Sequence, residues 1–220
     1  MRTIKVRGSA EEVVVGKIVC VGRNYAEHAR EMQSEVPQTP ILFLKPSTAI
    51  IRDGEDIVCP RISRQLHHEV ELVVAIGMPG KNIPESRARD HILGYAVGLD
   101  MTLRDVQSEA KNKGLPWSVA KGFDTSAPVS EIISASMIED PHKLEIMCLV
   151  NGVVRQRTTT DKMILSIDKM IAYISTIFTL ERGDLVFTGT PEGVGALVAG
   201  DTIRAELVGW TTLTNRVKMA

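Results

Sequence analysis

Three carboxylates and one histidine–glutamate pair are the residues in this chain whose types and spacing point to chemistry. In His67-His68-Glu69-Val70-Glu71-Leu72-Val73-Val74-Ala75-Ile76, residues two apart on an extended strand share a face. Glu69 and Glu71 therefore point one way, and Val70, Leu72, Val74 and Ile76 the other. Two glutamates on the solvent face of an amphipathic strand explain that pattern equally well, so the pair alone is not a site. A third acid sharpens it. Ile92-Leu93-Gly94-Tyr95-Ala96-Val97-Gly98-Leu99 is an uncharged string suited to burial, and it ends in Asp100. If the three carboxylates converge, each pair ~4 Å apart repels by ~4 kcal/mol at an effective dielectric near 20. A bound cation is the simplest remedy. All-oxygen, multiply charged ligation selects a hard ion, Mg²⁺ or Mn²⁺, and three protein ligands leave positions open for water or a chelating substrate.

The candidate proton-transfer group lies upstream. In Asn24-Tyr25-Ala26-Glu27-His28-Ala29-Arg30-Glu31-Met32, His28 and Glu31 are three apart and share a helical face. Glu31 would orient the imidazole and raise its basicity, as a base working near neutral pH requires. An exposed histidine with an acidic neighbour is the plainer alternative. Lys121, in Trp117-Ser118-Val119-Ala120-Lys121-Gly122-Phe123-Asp124, is placed either to meet a carboxylate or to sit on a surface loop. Thr188-Gly189-Thr190-Pro191-Glu192-Gly193-Val194-Gly195 either brings backbone N–H groups to an anion or is a tight turn that needs its glycines. It has neither the lysine of a phosphate loop nor the spacing of a dinucleotide fingerprint.

The elements that must position these groups are mostly short runs of Val, Ile and Leu bounded by Gly, Pro, Asn and Asp, among them Lys17–Gly22, Ile41–Leu44 and Val70–Ile76. Helical spacing occurs at Tyr25–Met32, Pro84–His91, Leu103–Lys113 and Ser166–Thr176, too few and too irregular for a βαβ repeat. Between Leu144 and Arg155, Asn151-Gly152 predicts a hairpin with a type I′ turn. No repeat or linker divides the chain, so its 220 residues are expected to form a single catalytic domain.

Composition excludes several function classes. A net charge of −1 and 4% aromatic residues give neither the field nor the stacking surface for nucleic acid. No apolar run reaches the ~20 residues that span a bilayer, and the N-terminus carries no secretory pattern, so a cytoplasmic location is expected. Cys20, Cys59 and Cys148 stand apart in hydrophobic strings and are expected to be reduced core residues.

Six ordered blocks carry a family likeness. Gly22-Arg23-Asn24-Tyr25, Phe43-Leu44-Lys45-Pro46, His67-His68-Glu69-Val70-Glu71, Asp100-Met101-Thr102-Leu103-Arg104-Asp105-Val106-Gln107, Lys121-Gly122-Phe123-Asp124 and Thr188 to Gly195 together resemble the fumarylacetoacetate hydrolase family, over about residues 17–217. The likeness is greatest to its short, single-domain acylpyruvase branch. It implies an α+β, strand-rich mixed β-roll with few short helices, usually a homodimer, and Mg²⁺ or Mn²⁺ held at Glu69, Glu71 and Asp100. It further implies that His28 and Glu31 form a water-activating dyad on a lid helix. Arg104, Gln107, Lys121 and Thr190 would hold the 2-oxo-carboxylate end of a small 2-oxo acid, with Arg23 and Lys45 near the pocket. Arg157-Thr158-Thr159 stands where relatives often carry Gly, and the N-terminal extension of larger members has no counterpart.

The activity implied is metal-dependent hydrolysis of a carbon–carbon bond in acylpyruvates, giving pyruvate and a carboxylic acid. The alternative is decarboxylation or tautomerisation of oxaloacetate, or isomerisation of an unsaturated oxo-diacid, at the same centre. A non-catalytic β-protein with a structural Ca²⁺ site is the reading from another class. The lid, around Ala26–Gln38, is expected to move when no ligand is present.

Overall fold

The computed structural model describes residues 2–32, 35 and 37–220; Gln33, Ser34 and Val36, part of the expected lid, lie outside the described residues. Two mixed sheets dominate. A six-stranded sheet runs in the order 133–134, 92–99, 70–76, 185–187, 18–22, 41–45, and a five-stranded sheet in the order 153–159, 145–150, 202–207, 211–219, 56–59. Each is antiparallel except at one pairing, Leu185–Phe187 with Ile18–Gly22 in the first and Thr211–Met219 with Asp56–Cys59 in the second. Three short strands, Leu66–His68, Thr102–Leu103 and Gly195–Leu197, form a small sheet beside them.

The larger core fills the space between the two main sheets, with Val70, Leu72, Val97 and Leu99 from one and Ile146, Cys148, Ile203 and Leu213 from the other. A second core covers the opposite face of the six-stranded sheet through Ile18, Cys20, Val73, Ala75 and Phe187. Every residue of Val70–Ile76 is therefore buried. This corrects the amphipathic reading of that segment: the face carrying Glu71 is a second interior, because the chain's N-terminal strands together with Ala49 and Ile50 pack over it. All three cysteines are buried and free, as expected.

The Asn-Gly hairpin forms as predicted, with Asn151 at φ 51° and Gly152 at φ 79° joining Glu145–Val150 to Val153–Thr159. Of the helical spacings, 84–91 forms a 3₁₀ segment, Glu85–His91, with Arg87 N bonding the Pro84 carbonyl; only Ala88 of it is buried, too little apolar face to draw out a full α-helix. The others become α1 (Ala26–Glu31), α2 (Arg104–Lys113) and α4 (Ile167–Ile177), and a short α3 covers Ser118–Lys121. In α4, Ser166 caps Lys169 N, and Ile167, Met170, Ile171 and Ile174 are wholly buried. Each such side chain stabilises by roughly 1.5–3 kcal/mol, so this stripe holds the helix in place.

Candidate active site

The strand ladder itself brings two of the acids together. Val70 pairs with Leu99 and Glu71 with Gly98, and the Asp100 amide bonds the Glu69 carbonyl at 2.8 Å. Asp100 thus leaves the end of its strand beside Glu69. Gly98 is required opposite Glu71, since a Cβ there would lie 2.7 Å from Val73 Cγ2 and 2.9 Å from Phe187 Cε1. The result is convergence: ligand oxygens of Glu69, Glu71 and Asp100 all lie within 4.8 Å of one another, and all three residues are buried.

Their charges are answered from within the chain. Lys121 Nζ donates to Glu69 Oε2 at 2.8 Å, Asp100 Oδ2 at 2.5 Å and Thr102 Oγ1 at 2.7 Å. Lys45 Nζ lies 2.8 Å from Asp100 Oδ1 and donates to the carbonyls of Met101, Lys121 and Ser126. Arg104 Nη2 pairs with Glu69 Oε1, and Nη1 donates to Gln107 Oε1 at 2.7 Å. Three cations thus answer Glu69 and Asp100 but not Glu71, so part of the expected repulsion is relieved within the chain and part is left for a bound ion. Lys121 is a buried helix residue rather than a surface-loop one. Burial opposes its charge, but Asp100 and Glu69 outweigh burial and keep it above the ordinary lysine range, so it is a fixed cation.

Compensation is uneven, and the unevenness marks where an ion fits. Burial would raise Glu69, yet Lys121 and Arg104 hold it well below the usual carboxylate range. Glu71 is pushed well above that range by burial, then by Asp100 and Glu69. Among the described residues it has no ion-pair partner, and its Oε2 accepts only the Gly189 N–H, at 2.7 Å. Asp100 Oδ1 is likewise buried without a hydrogen bond, its lysine contact being out of hydrogen-bonding alignment. An under-compensated carboxylate and an unfilled acceptor in an all-oxygen set suit a hard divalent ion. Gly189 can approach Glu71 because it sits at φ 98°, where a Cβ would strike Asn24 Cβ at 2.7 Å.

A cleft opens over the acids and is lined by nine of the eleven residues singled out in the sequence, all but Glu31 and Lys45. His28 is 6% exposed and points into it from α1; its Nδ1 lies 3.3 Å from Glu31 Oε2, and Glu31 Oε1 accepts the Gly193 N–H at 3.0 Å. Gln107 keeps its amide N–H groups for the cleft, since its oxygen is taken by Arg104. The Thr190 hydroxyl donates to the Val70 carbonyl at 2.8 Å and accepts from Gln156 Nε2 at 2.9 Å, so it is tied into the fold on both sides.

Two residues that sequence reasoning did not single out for a role hold this geometry. Asn24 Nδ2 donates to the carbonyls of Leu165 and Thr188, and its Oδ1 accepts the Leu165 N–H at 2.7 Å, pinning the start of the lid segment to two loops. Gln156 Oε1 accepts the Val70 N–H at 3.0 Å and contacts His68 Nδ1, while its Nε2 donates to Thr190 Oγ1 and the Pro191 carbonyl, both at 2.9 Å. Its signal was an amide on the inward phase of an alternating polar strand, two residues before the buried Thr158.

Residues 17–218 match the family model described as fumarylacetoacetate (FAA) hydrolase C-terminal. The chain belongs to the fumarylacetoacetate hydrolase family. Among its family relatives, the mitochondrial oxaloacetate tautomerase FAHD1 of Mus musculus is 52% identical over 201 residues, 91% of each chain. The fumarylpyruvate hydrolase of Pseudomonas aeruginosa, solved with Mn²⁺ and pyruvate, superposes with a TM-score of 0.96 at 40% identity, covering 100% of this chain and 96% of that one. The 2-hydroxyhepta-2,4-diene-1,7-dioate isomerase of Mycobacterium marinum gives 0.83 at 39% identity, covering 94% and 76%. The family's strand-rich fold is thus confirmed, while relatives divide between tautomerase, hydrolase and isomerase. No helix among the described residues is long and apolar enough to cross a membrane. Because the mouse relative is mitochondrial, the expected cytoplasmic location finds no support in family membership.

Proposed function

We propose that this chain is a divalent-metal-dependent enzyme that interconverts the keto and enol forms of oxaloacetate. The observation that carries this reading is the joining, in one cleft, of an under-compensated carboxylate trio with a surrounding set of cations and one histidine. The 52% likeness to the mouse tautomerase supports it over the hydrolytic expectation.

Glu69, Glu71 and Asp100 would hold Mg²⁺ or Mn²⁺. Bound there, the ion supplies Lewis acidity that polarises the substrate's 2-oxo group and renders its C3 hydrogens acidic. Arg104 and Gln107 would orient the 2-oxo-carboxylate end through N–H donors that the floor leaves free, with Lys121 below as a fixed positive charge and Arg23 and Thr190 lining the wall. His28 takes the proton from C3 and solvent protonates the 2-oxo oxygen as the enol forms, both transfers running backwards in the reverse direction; Glu31, itself fixed by the Gly193 N–H, keeps the imidazole aimed.

The same dyad favours a second reading, in which His28 deprotonates water for attack on the distal carbonyl of an acylpyruvate, releasing a carboxylic acid and pyruvate. The Pseudomonas aeruginosa relative, bound to Mn²⁺ and pyruvate, supports it. A single domain, a homodimer and a cytoplasmic location are part of the same proposal.

The deciding experiment follows the ultraviolet absorbance of enol-oxaloacetate and pyruvate release from acetylpyruvate in parallel, with Mg²⁺, Mn²⁺ and EDTA. Metal-dependent equilibration of oxaloacetate that greatly exceeds acetylpyruvate cleavage is expected. Fast acetylpyruvate cleavage without acceleration of the enol–keto exchange would hand the function to the hydrolase.

A further inference from the structure

The cations lining the cleft fall into two groups. Arg104 and Lys121 each hold a carboxylate of the floor, as does Lys45 beneath them. Arg23 and Lys111 do not: among the described residues neither has an ion-pair partner or a hydrogen bond from its side chain to protein. Lys111 Nζ stands 5.2 Å over the ring of Trp117, a contact that orients an ammonium without neutralising it. Its pKa is lowered by burial and then by Arg104 and Arg23, so the two unpaired charges feel each other. Arg23 is held at φ 59°, a left-handed conformation costly for a residue with a Cβ and one that persists where the surroundings dictate it.

Two unneutralised cations at one side of a small cleft invite an anion. The floor does not supply it, because Glu69 and Asp100 already face Lys45, Lys121 and Arg104, and none of the three acids forms an ion pair with Arg23 or Lys111 among the described residues. The 2-oxo-carboxylate end of a substrate cannot supply it either, since on the proposed reading that end is held at the floor. What remains is a second negative group farther along the same ligand. An acetyl methyl would leave both charges unanswered, whereas a carboxylate would answer both.

We propose that Arg23 and Lys111 form a second anion subsite that takes the distal carboxylate of a short 2-oxo dicarboxylate, and so select diacids over neutral acyl chains. The proposal rests on the placement of the 2-oxo end given above, and deepens it by assigning the specificity to two named side chains. Lys111, absent from the family-like motifs, is the residue that the geometry adds. The guanidinium of Arg23 offers paired N–H donors and the ammonium of Lys111 a point charge, an arrangement suited to gripping one carboxylate from two sides.

The test is by binding, so that it stands apart from turnover. Calorimetry in saturating Mg²⁺ compares 3,3-difluorooxaloacetate, which has no C3 hydrogen to lose, with 3,3-difluoro-2-oxobutanoate, which has a methyl in place of the distal carboxylate. Wild-type protein should bind the diacid at least about tenfold more tightly. Lys111→Met and Arg23→Gln should each weaken the diacid about tenfold and leave the monoacid within about twofold, and Lys111→Arg should restore most of the loss. A prior Mg²⁺ titration of each variant shows whether the floor is intact. Equal wild-type affinity for both ligands overturns the proposal, as does a variant that weakens both alike. Discrimination by a protein that accelerates no oxaloacetate tautomerisation would sustain the subsite and remove only the proposed reaction.

Discussion

The floor of the cleft and its lid side are built on opposite principles. The floor hangs from the ends of two central strands that are buried on both faces, and every acid in it is fixed by the ladder or by a buried cation. The lid side is a six-residue helix joined to the rest by the Asn24 clamp, the Glu31 to Gly193 bond and few other ties. The difference separates two tasks. Binding a small hard ion demands ligand positions fixed to fractions of an ångström, which a sheet supplies. Moving a proton and admitting substrate demand a group that can approach and withdraw, which a short segment over the pocket permits.

Substitutions on the two sides should therefore fail differently. Glu71→Gln removes the acid that no lysine or arginine answers; turnover should fall by at least ~10³-fold and Mg²⁺ should no longer raise the melting temperature. A Glu71→Gln protein that still bound Mg²⁺ with wild-type affinity would place the ion elsewhere. His28→Ala should lower turnover by about 10²-fold or more while Mg²⁺ affinity stays within about twofold, because on the proposed mechanism the imidazole moves a proton and holds no ion. Loss of metal binding in His28→Ala would erase the division between the sides.

Asn24→Ala strips three hydrogen bonds, to the Leu165 N–H and to the Leu165 and Thr188 carbonyls, and should cost ~1–3 kcal/mol of stability along with a raised KM. Thermal unfolding and saturation kinetics on the same sample check it; unchanged KM with lowered stability would make the clamp purely structural.

The pH dependence of metal binding tests the floor alone. The Glu71 carboxyl is held above the ordinary range, so the metal-free fold favours its protonated form, an advantage present at low pH and lost as pH rises through the folded value. A metal must displace that proton, so the Mg²⁺-induced rise in melting temperature should grow with pH, affinity increasing by at most about tenfold per unit while Glu71 is still protonated. Glu69, held low by Lys121 and Arg104, stays ionised throughout and adds nothing to this trend. A metal shift that is flat from acid to neutral pH would show that Glu71 is already charged. The smallest effect, and the control for both sides, is Gly152→Ala in the distant hairpin: at φ 79° it should cost about 1 kcal/mol and leave kinetics untouched.

What could be read from residues alone tracks how local the cause is. The Asn151-Gly152 turn was legible because its two positive φ values are dictated by residue type. So was α4, whose apolar spacing and Ser166 cap lie within one stretch of chain. The carboxylate trio was visible as a pattern, but its neutralisation was not. Lys45 and Lys121 come from 55 and 21 residues away from Asp100, and nothing in their surroundings announces a buried ammonium. The burial of the Glu71 face depended on a second core assembled from distant strands. Gln156 was hidden for the same reason, its partners lying at His68, Val70, Thr190 and Pro191.

That last side chain has a consequence for when the enzyme becomes an enzyme. Gln156 belongs to the five-stranded sheet, yet its single amide ties the small sheet at His68, the six-stranded sheet at Val70 and the loop at Thr190. These pieces are brought together only by contacts between residues far apart in sequence, which form late because loop closure opposes them. The cleft therefore has no half-assembled form: a chain with one sheet docked holds neither a complete floor nor a wall. In a refolding experiment, recovery of activity should coincide with the slowest step that docks the sheets, making catalysis itself a reporter of the finished fold.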